Sequence, residues 1–160
     1  MQRESSVKKE ERQILVFCLA SEELGLDLSC VREVLRPQEI YLLPKTPHFI
    51  EGVINLRGHI VALIDLRKRL YAQPIEDKSN KRIIVCRVNK FIVGLAVTSL
   101  KEILALSAEE IRPMPEVLPM QMETEMISAM VRVGERIIPI LNLEHLLTKQ
   151  EVTELSTVEQ

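Results

Sequence analysis

Short apolar runs separated by polar or breaker-rich stretches fill most of the chain. The clearest is Gly52 to Leu70, GVINLRGHIVALIDLRKRL. Val53, Ile54 and Leu56 lead into Arg57-Gly58, and Ile60, Val61, Leu63 and Ile64 lead out. Val and Ile suit a pleated, buried surface, and Gly58 supplies the positive φ that a tight hairpin demands. Asp65 then stands as an N-cap for a short following segment. Upstream, Ile14 to Leu19 predicts a strand, and Leu24 to Leu28 its hairpin partner. Ser29 is placed to cap a short helix from Cys30 to Leu35, with Val31, Val34 and Leu35 at helical spacing and Pro37 ending it. Ile40 to Leu43 reads as a short strand closed by Pro44, and residues 46–50 as a loop.

The pattern then repeats. Residues 83–104 lie on residues 14–35 without a gap, so that Ile14 meets Ile83, Gly25 meets Gly94 and Glu33 meets Glu102. Residues 129–147 lie on 52–70, with Ile60 on Ile137 and Asp65 on Asn142. A second helix, Ser99 to Leu104, is expected to echo the first. Glycine, caps and hairpin recurring in one order argue for an internal duplication. Many short strands in each half point to small closed barrels, which hide sheet edges. The expected division is a flexible arm over 1–13, a lobe over 14–71 and a linker over 72–81. A second lobe over 82–148 and a polar tail over 149–160 complete it. Lobes this small should share a core.

Composition narrows the class. Apolar residues are 46% of the chain and aromatics 3%, with no Trp, so the core is built from Ile, Leu and Val. Net charge is −2 with the signs interleaved, which gives no broad basic face for nucleic acid or an anionic membrane. No signal peptide or membrane-spanning run is visible. Cys18, Cys30 and Cys86 are odd in number and widely spaced, which suits buried thiols in a reducing cytoplasm.

Catalytic chemistry finds little footing. His48, His59 and His145 are not spaced as metal ligands, and no phosphate-binding or nucleophile motif occurs. No cofactor is expected. Arg57, at the hairpin tip where the second copy has Gly134, has two readings. It is a solvated turn residue, or a recognition arginine whose planar fork holds two acceptors of a partner. Val31 is either core or an exposed anchor. Glu33 is either solvated or shares a structural role with Glu102. Met114, Met120, Met122, Met126 and Met130 either pack a loop or offer adaptable contact surface.

VREVL at 31–35, TPHFIEGVINLRGHIVALIDLRKRL at 46–70 and LSAEEIRPMPE at 106–116 resemble the CheW-like adaptor domain of bacterial chemotaxis, over roughly residues 13–148. The resemblance implies two SH3-like five-stranded β-barrels around a shared apolar core, and no enzymatic activity. It implies a cytoplasmic adaptor, monomeric in isolation, that joins the signalling tips of methyl-accepting chemoreceptors to the regulatory domain of the histidine kinase CheA. By position, receptor binding carries onto Val31, Gly52 and Arg57, and kinase binding onto Glu33, Ile40 and Tyr41. The related pathway could instead serve pili or gliding. From other classes, a small-barrel nucleic-acid binder would need basic grooves and stacking aromatics, and a cysteine enzyme an activated thiol.

Overall fold

The computed structural model describes residues 11–75, 79–112 and 124–146. The first half gives strands β1 (Arg12–Leu19), β2 (Glu22–Asp27), β3 (Val31–Leu35), β4 (Ile50–Leu56) and β5 (His59–Asp65), then helix α1 (Leu66–Tyr71). The second gives β6 (Arg82–Val88), β7 (Phe91–Val97), β8 (Ser99–Leu106), β9 (Ile111–Arg112), β10 (Ile127–Val133) and β11 (Arg136–Leu141). The duplication is real in three dimensions: β4 and β10 have bounds 77 residues apart, and Asp65 and Asn142 cap the segments that follow β5 and β11.

The division into lobes needs correction. The strands form two sheets, in the orders β3-β6-β7-β5-β4 and β8-β1-β2-β11-β10-β9, each curling into an SH3-like barrel. The halves have therefore exchanged their opening hairpins. β1 and β2 belong to the barrel of the second half, and β6 and β7 to the barrel of the first. A boundary at 72–81 cuts through both. The exchange is sealed where two parallel pairings form, Ile140 beside Gly25 and Leu63 beside Gly94. A β-carbon on Gly25 would lie 2.7 Å from Ile14 and 2.9 Å from Ile140. On Gly94 it would lie 3.0 Å from Ile83 and 3.2 Å from Leu63. The same contact is built twice from residues of opposite halves.

The core follows from this exchange. One large cluster, including Phe17, Leu24, Ile64, Leu66, Leu95, Met126 and Leu146, lies between the barrels and is shared by them. Each fully buried Leu, Ile or Phe there contributes about 1.5–3 kcal/mol. Smaller clusters fill each barrel, around Ile54, Val61 and Leu63 in one and Ile14, Val131 and Ile138 in the other. The linker is anchored at both ends. Ile75 is buried with its N–H donating to Asp65 Oδ2 at 3.3 Å, and Lys81 is buried with Nζ 3.2 Å from Glu51.

Both expected short helices are strands. A 3₁₀ turn, Leu28–Cys30, precedes β3, and it is Asp27 whose side chain caps it by accepting the Ser29 N–H at 3.0 Å. Val31, Val34 and Leu35 fit a helical period, but β6 offers β3 a free edge and pairs with it. β8 likewise pairs with β1. Tertiary hydrogen bonding overrides local spacing. The expected strand Ile40 to Leu43 shrinks to a single bridge, Tyr41 to Val53. Cys86 is fully buried and its thiol is pushed up by burial, as inert packing requires, while Cys18 and Cys30 are half-buried. Met126 is core and Met130 packs against it, whereas Met114, Met120 and Met122 lie outside the described residues.

Candidate functional site

The six residues singled out from the sequence converge on the first barrel, the one containing β3, β4 and β5. Arg57 and Gly58 form the β4–β5 turn with φ of 52° and 89°. The left-handed turn carries the Arg57 side chain out from the sheet, and it is 69% exposed. Its guanidinium forks onto Glu33 of β3, with Nη1 donating to Oε1 at 3.3 Å and Nη2 donating to Oε2. The hydrogen bond from Arg57 holds the Glu33 carboxyl below its ordinary value. An arginine fork is matched to a carboxylate in this way. Arg57 is thus neither a free turn residue nor a vacant anion receptor; its charge is already engaged.

Gly52, Ile40 and Tyr41 form a second group. Tyr41 N donates to Val53 O at 2.8 Å, and Val53 N to Tyr41 O at 2.9 Å. Gly52 makes this approach possible. It lies at a break in the β4–β5 register with φ of 148°, and a β-carbon there would clash with the Tyr41 carbonyl and stand 2.8 Å from Ile40 Cγ2. Buried Gly52 has no surface of its own to offer. What it controls is the position of Ile40, half-buried against the barrel cluster, and Tyr41, half exposed. Glu39 beside the Tyr41 hydroxyl pushes its pKa up, so the phenol stays neutral. Val31 stands apart from both groups. It opens β3 opposite Cys86, half-buried against the shared core.

Sequence reasoning missed the apolar neighbours. Ile60, 49% exposed, and Leu42, 82% exposed, are presented to solvent on the side of Tyr41. Tyr41, Asn55, Gly58 and Ile60 line one shallow depression. Ile60 also lines a second, about 290 Å³ in volume, at the mouth of the first barrel. Leu56, Val61, Val85 and Ile92 floor that mouth, and Arg32, Glu33, Arg57 and His59 rim it. The signal for Ile60 was its repeat partner Ile137, also exposed, because a strand residue past the end of the buried run faces water in both copies. No group of three metal-ligating side chains occurs among the described residues. None of their helices is long and apolar enough to cross a membrane.

The CheW-like domain pattern matches residues 13–151. The chain belongs to the CheW-like family. Two relatives match over most of their length. The chemotaxis protein CheW of Klebsiella aerogenes is 35% identical over 92% of this chain and 88% of its own. The probable chemotaxis protein CheW of Rhizobium etli is 30% identical over 91% of this chain and 94% of its own. The solved scaffolding protein TtCheW from Thermoanaerobacter tengcongensis superposes with a TM-score of 0.81 at 34% identity, covering 88% of this chain and 94% of that one. The CheW-like fold, with its two SH3-like barrels, is thus the fold described above.

Proposed function

We propose that this CheW-like protein is a non-enzymatic adaptor that couples chemoreceptor signalling tips to the regulatory domain of the kinase CheA. It works in the cytoplasm and is recruited to membrane-associated receptor arrays. The observation that carries the reading is the Arg57–Glu33 ion pair on the surface of the first barrel. Arg57 falls at the position assigned to the receptor and Glu33 at one assigned to the kinase. One ion pair therefore spans both contacts. A receptor group that draws Arg57 away leaves Glu33 uncompensated and alters what the kinase meets, and the reverse holds by linkage. Couplings of this sort are worth about 1–3 kcal/mol. Val31 adds an apolar receptor contact at the start of β3. Exposed Tyr41, with Ile40 beneath it, supplies the kinase face, and Gly52 acts by holding that segment in place. A few apolar anchors ringed by polar groups make an economical protein interface.

The test is calorimetric titration of the purified protein with the CheA regulatory domain, then with a receptor-tip fragment added. A one-to-one complex that accepts the fragment is expected. Arg57→Glu should weaken fragment binding about tenfold or more, a loss of about 1.4 kcal/mol, while the thermal midpoint stays nearly unchanged because the side chain is exposed. A large fall in the midpoint would instead make Arg57 a structural residue, and absence of heat with both partners would sink the adaptor reading.

A further inference from the structure

The two barrel mouths are built from equivalent positions but closed differently. In the second barrel the position of Ile92 is taken by Glu23, 69 residues earlier. Its carboxylate accepts from Lys101 Nζ at 2.5 Å and from Arg136 Nη2 at 2.9 Å. Arg136 Nη2 also donates to Glu102 at 2.6 Å. Lys101 and Arg136 are the repeat partners of Arg32 and His59, and Glu102 of Glu33. An acid of the chain itself thus bridges two cations across the second mouth. In the first barrel Ile92 supplies no acid. Arg57 turns to Glu33, and Arg32 makes no hydrogen bond or ion pair among the described residues. The first mouth remains an open apolar floor under a rim with three basic side chains, Arg32, Arg57 and His59, and one acidic, Glu33.

We propose that this mouth is a binding site for an acidic side chain of the kinase's regulatory domain, a Glu or Asp next to an apolar residue. Its carboxylate takes the place that Glu23 fills in the second barrel, bonded to Arg32 and His59, and the apolar neighbour lies on Val61, Val85 and Ile92. The excess of basic groups on the rim selects the acid. The kinase is the source because Ile60 joins the mouth to the depression beside Tyr41, the proposed kinase face. The inference rests on the adaptor reading and deepens it.

The experiment titrates the CheA regulatory domain, and separately a receptor-tip fragment, into the full chain and three variants. Arg32→Glu should raise the Kd for the kinase domain about tenfold or more. Ile92→Glu, which gives the first mouth an acid of its own, should do the same. Glu23→Gln, in the second mouth, should leave that Kd and receptor-fragment binding unchanged, while Arg32→Glu and Ile92→Glu should lose more affinity for the kinase domain than for the receptor fragment. If Ile92→Glu fails to unfold cooperatively, Arg32→Glu decides, because Arg32 is exposed and makes no hydrogen bond or ion pair among the described residues. Kinase binding by Arg32→Glu within about twofold of the parent overturns the site, and so does a loss confined to the receptor fragment. A parent chain that binds the receptor fragment but not the kinase domain overturns the site too. One that binds neither overturns the adaptor reading with it.

Discussion

The two barrels share one framework and differ at their edges. Where the exchanged hairpins meet, Gly25 with Ile14 and Ile140 reproduces Gly94 with Ile83 and Leu63. Asp65 N donates to Phe49 O at 2.8 Å, and its counterpart Asn142 N to Met126 O at 2.7 Å. Three of the places where the halves diverge are Gly52 against Ala129 in the register break, Lys81 against Arg12 at the start of the first exchanged strand, and Arg57 against Gly134 at the hairpin tip. The shared glycine contacts are buried and each joins strands from both halves of the chain, so a change in one half must be accommodated by the other. The divergent positions lie at a sheet edge, a strand entry and a turn, where each half can change alone. The first barrel used that freedom to set Tyr41 against β4 and Arg57 against Glu33.

The largest asymmetry should appear at the register break. In Gly52→Ala the new β-carbon meets backbone at Tyr41, which no rotamer change relieves, on a φ that L-residues rarely adopt. Strain and overpacking together should cost about 2–4 kcal/mol. The reciprocal change Ala129→Gly should cost only about 1 kcal/mol, chiefly backbone entropy. Urea unfolding of the two variants gives the comparison directly. Equal losses would mean that the Tyr41 bridge yields easily and that Gly52 does not set it.

A smaller gap is expected between the two strand entries. The Lys81 and Glu51 side chains are 6% and 16% exposed, whereas Arg12 and its partner Asp27 are 44% and 28% exposed. Lys81→Ala leaves the largely buried Glu51 carboxylate without its partner, and should cost about 3 kcal/mol. Arg12→Ala breaks a wetter pair whose partner keeps the Ser29 hydrogen bonds, and should cost about 1 kcal/mol or less. Replacing Lys81 and Glu51 together by Met and Leu should recover most of the first loss. Failure to recover would show that the pair positions the linker rather than merely neutralising a buried charge.

These contrasts also mark how far sequence could reach. The hairpin at 50–65 and the 69- and 77-residue offsets were legible because Val and Ile runs, turn glycine and caps are local signals. Val31-Arg32-Glu33-Val34-Leu35 was not, because its apolar spacing suits a helix and only the edge of β6, some fifty residues on, makes it a strand. Strand exchange left one trace, the paired glycines, and in the sequence they mark only the repeat until Ile140 and Leu63 are seen against them. At the site, Arg57 stood out by its place at a turn. Its partner Glu33 lies 24 residues away, and no spacing rule connects a hairpin tip to the middle of another strand. The resemblance puts Gly52 in a receptor-binding surface, whereas the structure buries it against the Tyr41 carbonyl.

The smallest predicted difference concerns the two carboxylates at the barrel mouths. Glu33 is held below its usual pKa of 4.5 first by the hydrogen bond from Arg57, and Glu23 first by that from Lys101 and then by that from Arg136. A carboxyl whose folded pKa is depressed favours the folded state above its unfolded value and loses that advantage as pH falls through the folded one. Both pairs should therefore weaken only below about pH 4.5. Carboxyl titration by NMR separates them. Arg57→Ala should carry the Glu33 midpoint up toward 4.5, because only the charges of Arg57 and Arg32 oppose its protonation. Arg136→Ala should move Glu23 less, because Lys101 remains bonded to it. The difference tells the barrels apart: the acid of the second mouth is held twice over, while Glu33 is bonded by one exposed arginine. A larger movement at Glu23 than at Glu33 would reverse that assignment and make the second mouth the more readily opened of the two.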